Sequence, residues 1–154
     1  MAEEGPSTPA VEETRRKVEE YLANAFDDVT VDDDKWCITY GSAKVQIDVG
    51  IFDEDGSVVH VESPTVTGAD ASPELFHYLA TNSHHHEFGH LGALETGDGK
   101  ATITFGHSLL GEFLDPAELR TAVIAVAFTA DQLDNELAAR FGGEVHDADG
   151  DFDV

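Results

Sequence analysis

His84-His85-His86-Glu87-Phe88-Gly89-His90 is the segment of this chain whose residue types and spacing come nearest to a reaction centre. Residues 86–90 read H-E-x-x-H. On a helix, the i, i+4 spacing puts both imidazoles on one face to hold zinc, and the glutamate polarises the metal-bound water. The local sequence opposes a helix. Gly89 lies inside the motif, and the strand-like Leu91-Gly92-Ala93-Leu94 follows it. On a strand, residues 86 and 90 share a face but lie ~13 Å apart, too far to hold one ion. No G-x-x-H continuation follows, since position 96 is threonine, and a third ligand would have to come from Glu95 or Glu112. A small zinc-dependent hydrolase is therefore an alternative reading. The more modest one is incidental metal capture by an exposed cluster of His84, His86 and His90. No resident metal or cofactor is expected.

Other candidates are weaker. The segment Asp147-Ala148-Asp149-Gly150-Asp151-Phe152-Asp153 looks like a calcium loop. An EF-hand loop needs glycine at its sixth position and a bidentate glutamate at its twelfth. Counted from Asp147, glycine stands at the fourth, so a solvated acidic tail is the plainer reading. Cys37 is the only cysteine, which excludes an intrachain disulfide and a cysteine metal cluster. Trp36 and Ile38 place it inside a strand, and Asp32, Asp33 and Asp34 disfavour its thiolate. His60, His77 and His107 are isolated, and no glycine-rich phosphate-binding pattern occurs.

Charge excludes more. Eight Lys and Arg face 32 Asp and Glu, a formal net charge of −24. Such a surface repels nucleic-acid backbones and anionic lipid. The N-terminus is acidic and polar, unlike an export signal, and no apolar run approaches the ~20 residues of a spanning helix. The expected setting is the cytoplasm, with neither nucleic acid nor membrane as partner. The acidity fits either a salty cytoplasm or solubilising tails.

The elements that must position these residues follow from periodicity. A leader at 1–9, with Gly5, Pro6, Ser7 and Pro9, reads as disordered, and residues 143–154 read as a disordered acidic tail. Between them, 10–142 form one domain. Val11, Val18, Leu22, Ala25 and Phe26 mark a first helix. A short Val29-Thr30-Val31 segment precedes fuller strands at Lys35–Tyr40, Ala43–Phe52 and Ser57–Val66. Val45, Ile47, Val49 and Ile51 alternate with Lys44, Gln46 and Asp48, so one face is buried and one is wet. Ser72-Pro73 and Asp115-Pro116 each announce a helix, a capping residue followed by proline at the first helical position. The second helix ends near Asn82. The third runs to about Phe141 and stops at Gly142-Gly143. Between them, Phe88–Glu95 and Lys100–His107 form a hairpin around Thr96–Gly99. The expected fold is α+β, order α-β-β-β-α-β-β-α, with about five main antiparallel strands and helices on one face. Val45, Ile47, Val49, Val59, Val61, Ile103 and Phe105 should be buried. Leu119, Val126, Leu133 and Leu137 should meet them or the first helix.

In this order of elements the chain resembles the YbjN family and the related type III secretion chaperone-like fold. Glu74 to Asn82 followed by Phe88-Gly89-His90-Leu91-Gly92 is similar to the family's exit from its second helix. Leu114-Asp115-Pro116-Ala117-Glu118-Leu119 is similar to its L-D-P-E-E-L start of the last helix. The long Leu/Val/Ala stripe from Val123 to Leu137 is similar to its closing helix. The resemblance covers about residues 10–142. It implies a non-catalytic, chaperone-like or regulatory protein that binds peptides or partner-protein segments, often as a homodimer, so no catalytic residue is carried over. An accessory scaffold subunit is a further alternative.

Two surfaces are candidates for that role. Lys44, Gln46 and Asp48 should share the helix-free sheet face with Cys37, Thr39, His60, Thr102 and Thr104. Such a face can take up an extended peptide, and the surrounding charge favours a cationic one. Ile124 and Phe128 form a second apolar strip on the last helix and would be left exposed on a monomer, which points to a homodimer interface.

Overall fold

The computed structural model describes residues 7–146. Three helices pack on one face of a seven-stranded antiparallel sheet. Helix α1 (Pro9–Ala25) starts where the Thr8 hydroxyl accepts the Val11 amide at 3.2 Å. Threonine at the cap and proline at the first position satisfy or remove amides that a helix start leaves unpaired. The buried residues Val11, Thr14, Val18 and Leu22 recur at helical spacing and form its inner stripe. Helix α2 (Pro73–Asn82) is capped in the same way by Ser72, and α3 (Pro116–Phe141) by Asp115, whose carboxylate accepts the Glu118 amide at 2.8 Å.

The strands are β1 (Thr30–Asp32), β2 (Lys35–Tyr40), β3 (Ala43–Asp53), β4 (Gly56–Asp70), β5 (His90–Glu95), β6 (Lys100–Leu110) and β7 (Glu144–Val145). They pair in the order β1-β2-β3-β4-β6-β5, and β7 joins the distal part of β4 through Val66 and Thr67. The α+β class, the antiparallel sheet and the helix positions agree with expectation. The strand count differs. The short stretch near Val31 pairs with β2 as a strand of its own, and β7 adds a seventh. Both are too short to show an alternation. Pro9 and Thr8 open α1, so the expected leader ends earlier than residue 9, and Glu144 and Val145 of the expected tail are strand. The acidic segment 147–153 and residues 1–6 lie outside the described residues.

Val45, Ile47, Val59, Val61, Ile103 and Phe105 are buried beneath α1 and α3, and Leu119, Val126 and Leu137 of α3 are buried in the same core. Val49 and Leu133 are only half-buried and pack at the core's margin. Trp36 also belongs to this helix-covered side, with the Arg15 guanidinium 4.6 Å from its ring centre.

Candidate functional site

Register assigns the remaining side chains to the helix-free face. Directly opposed residues of antiparallel strands share a face. Cys37 pairs with Gln46, Gln46 with Glu62, Glu62 with Gly106, and Gly106 with His90. One row therefore crosses five strands. The next row joins Asp48, His60 and Ser108, and the one beyond joins Gly50, Val58 and Leu110. On the other flank, Thr39 opposes Lys44, and Thr104 and Thr102 oppose Gly92 and Leu94. All eight residues expected on this face belong to it by register.

They are not equivalent. Gln46, Asp48 and His60 come together and, with Lys35 and Glu62, line a concavity of about 280 Å³. His60 Nδ1 lies 3.2 Å from Ser108 Oγ. Lys44 Nζ lies 3.7 Å from an Asp32 carboxylate oxygen at the β1 edge. Cys37 is buried, and that burial pushes its thiol up, with Asp32 adding to the effect and Lys44 and Lys35 opposing it. Its side chain presents little surface to this face, with 5% of the residue exposed. Thr102 and Thr104 lie toward the opposite edge, away from the concavity. Lys35 and Glu62 were missed as site residues, although a signal existed. Glu62 stands two residues from His60 and Lys35 two from Cys37, so the alternation that assigns His60 and Cys37 to this face assigns them too.

The histidine segment takes a different shape from a zinc-binding helix. Ser83–His85 form a 3-10 turn, His86 is extended, and His90 opens β5. Gly89 has φ +107°, and a Cβ there would stand 2.6 Å from the Phe105 ring, so the chain turns tightly against the core at this point. His86 packs edge-on against Phe105, their ring centres 5.1 Å apart, whereas His90 belongs to the helix-free face. Burial, with His85 beside it, lowers the His86 pKa. Among the described residues no three His, Cys, Asp or Glu side chains converge on a metal position. On α3, Ile124 and Phe128 are 39% and 48% exposed, and both point away from the core.

The family described as T3SS (YopN, CesT) and YbjN peptide-binding chaperone 1 matches residues 12–149. The chain belongs to this family of peptide-binding chaperones. No curated protein matches it in sequence. Among solved structures, YbjN from E. coli superposes with a TM-score of 0.58 at 8% identity, covering 79% of this chain and 92% of that one. The ExsC–ExsE complex contains a chain that superposes with a TM-score of 0.55 at 13% identity, covering 85% of this chain and 97% of that one. At such identities these two likenesses show the shared fold. No described helix is long and apolar enough to cross a membrane.

Proposed function

We propose that this protein is a non-catalytic cytoplasmic chaperone that binds cationic peptide or partner-protein segments on the helix-free face of its sheet. Membership of the family supports the activity. One structural observation supports the place: the face opposite the helices carries a concavity lined by polar side chains, whereas the helix-side face is filled by the chain's own core. Such a face offers an extended segment a broad, partly polar surface with a shaped centre. The net charge of −24 favours basic segments by speeding encounter, an effect that added salt weakens.

The test is titration of isotopically labelled protein with basic amphipathic peptides and acidic controls at low salt. Amides of residues 44–48, 58–62 and 102–106 should shift with the basic peptides. Trp36 is on the helix-covered side, so its fluorescence is a poor reporter of this surface. Equal binding of the acidic controls, or shifts confined to α3, would overturn the assignment. The second part of the proposal is a homodimer through the α3 strip of Ile124 and Phe128, two exposed apolar side chains on successive turns.

A further inference from the structure

We propose that the concavity between β2, β3 and β4 is a receptor for one guanidinium group of the bound segment, an arginine with an apolar residue two positions away. This rests on the reading of the helix-free face as the binding surface. Asp48 Oδ1 is shielded from solvent, yet no described residue donates a hydrogen bond to it. A buried carboxylate oxygen without a donor is costly, and native proteins rarely keep one unless something outside the chain completes it. Gln46 and Glu62 face the same space, and neither side chain makes a hydrogen bond or ion pair among the described residues. Three acceptor-bearing side chains thus line one hollow, and no described residue donates a hydrogen bond to any of them.

Their placement selects the group. Gln46 opposes Glu62 and Asp48 opposes His60, so Asp48 and Glu62 are diagonal neighbours on adjacent strands. Diagonal Cβ atoms in an antiparallel pair stand roughly 7 Å apart, a gap that a planar fork can bridge. A guanidinium presents five N–H donors in one plane and can engage both carboxylates and the Gln46 carbonyl together. An ammonium is a compact point charge and would satisfy one carboxylate at a time. Lys35 is the one cation in the lining. Counting histidine as neutral, two carboxylates and one ammonium leave the hollow with a net charge of −1.

The adjoining row supplies the second feature. Gly50, Val58 and Leu110 lie one row beyond Asp48 and His60 on the same face, and Leu110 and Phe52 are exposed. Gly50 has no side chain to cover this row, and a Cβ there would be in ordinary contact with Val58 Cγ1 at 3.7 Å and His60 Nε2 at 3.8 Å. Successive rows are two residues apart along a strand, about 6.8 Å, which is also the i, i+2 spacing of an extended ligand. An arginine over Asp48 therefore sets an apolar side chain at i+2 over this row.

The experiment titrates the full chain with acetyl-Ser-Arg-Ser-Leu-Ser-amide and with the same peptide carrying citrulline for arginine, a neutral isostere. Amide shifts at residues 46–50 and 58–62 are followed by NMR. The citrulline peptide should bind about tenfold more weakly, the scale of a charge-assisted bidentate contact. In Asp48→Asn and Glu62→Gln the arginine preference should collapse toward one, while Glu20→Gln, on exposed α1, should leave it unchanged. Thermal melts confirm that each variant folds. An arginine preference that survives both Asp48→Asn and Glu62→Gln would overturn the receptor. If both peptides bind with shifts elsewhere, the receptor is wrong and peptide binding itself stands. If neither binds, both readings fall.

Discussion

The Ser42 hydroxyl, in the turn between β2 and β3, donates to an Asp131 carboxylate oxygen of α3 at 2.8 Å, and the Ser42 amide reaches the same oxygen at 2.8 Å. The hydroxyl also touches the Asp134 carboxylate, which is 1% exposed. A single side chain thus ties the last helix to the hairpin that begins the site-bearing strand. Ser42→Ala keeps the amide bond to Asp131 and removes the hydroxyl that the two carboxylates share, which among the described residues leaves Asp134 with the Asn135 amide at 2.6 Å. Leaving the buried Asp134 carboxylate short of a donor should cost about 2 kcal/mol. Urea unfolding should show a lower midpoint with an unchanged slope. An unchanged midpoint would mean that the turn is held by packing alone.

A second tie gives a dependence on pH. Ser57 donates from its amide and hydroxyl to Glu112 Oε1 at 2.7 and 2.9 Å, and its hydroxyl lies 2.7 Å from that of Thr14 on α1. Desolvation works to raise the Glu112 pKa, but the hydrogen bonds from Ser57 and nearby Lys17 outweigh it and hold the carboxyl below its usual value. A depressed folded-state pKa contributes stability above the unfolded pKa of about 4.3 and loses it as pH falls through the folded value. Glu112→Gln should therefore be less stable than the parent at pH 7, with the gap narrowing below about pH 4. Parallel melts across pH 3–7 measure this directly. A gap that does not change with pH would assign the loss to shape instead of charge.

How far the sequence foretold these features differs by element. Proline after a capping Ser or Asp set the starts of α2 and α3 correctly, because cap chemistry is local. The β3 alternation of Val45 and Ile47 with Gln46 and Asp48 identified both faces, because burial on one side of a strand repeats every second residue. What stayed hidden depended on contacts distant along the chain. Ser42 and Asp131 are 89 residues apart, as Ser57 and Glu112 are 55 apart, and nothing in either segment marks its partner. Asp134 lies on the apolar stripe of α3 as a buried carboxylate, which composition rules place on a surface. The concavity was half legible: Gln46, Asp48 and His60 were assigned to the right face, but a hollow arises from how neighbouring strands set their side chains.

The proposed dimer has a signature opposite to that of client binding. Two chains of net charge −24 repel, and salt screens that repulsion while sparing apolar contact. Light scattering should therefore show the dimer strengthening from 50 mM to 1 M NaCl. Phe128→Glu places a charge in the strip and should leave a monomer at micromolar concentration with its melting temperature nearly unchanged, because Phe128 is 48% exposed. A monomer mass for the parent at both salt concentrations would rule the interface out.

Asp48 offers the sharpest separation of stability from binding. It stands mid-strand, where aspartate is disfavoured and threonine is favoured. Its Oδ1 is shielded and has no donor among the described residues. Asp48→Thr keeps a polar, β-branched side chain and removes the carboxylate. If the residue serves a ligand and not the fold, this change should raise stability by about 1 kcal/mol, or about 3 °C in melting temperature for a domain of this size. The same variant should lose its preference for arginine peptides. The contrasting control is Asp134→Thr, where the carboxylate is buried and accepts hydrogen bonds, and where stability should fall. A destabilised Asp48→Thr would show that the carboxylate supports the strand, and the excess of acceptors in the concavity would then need a structural explanation.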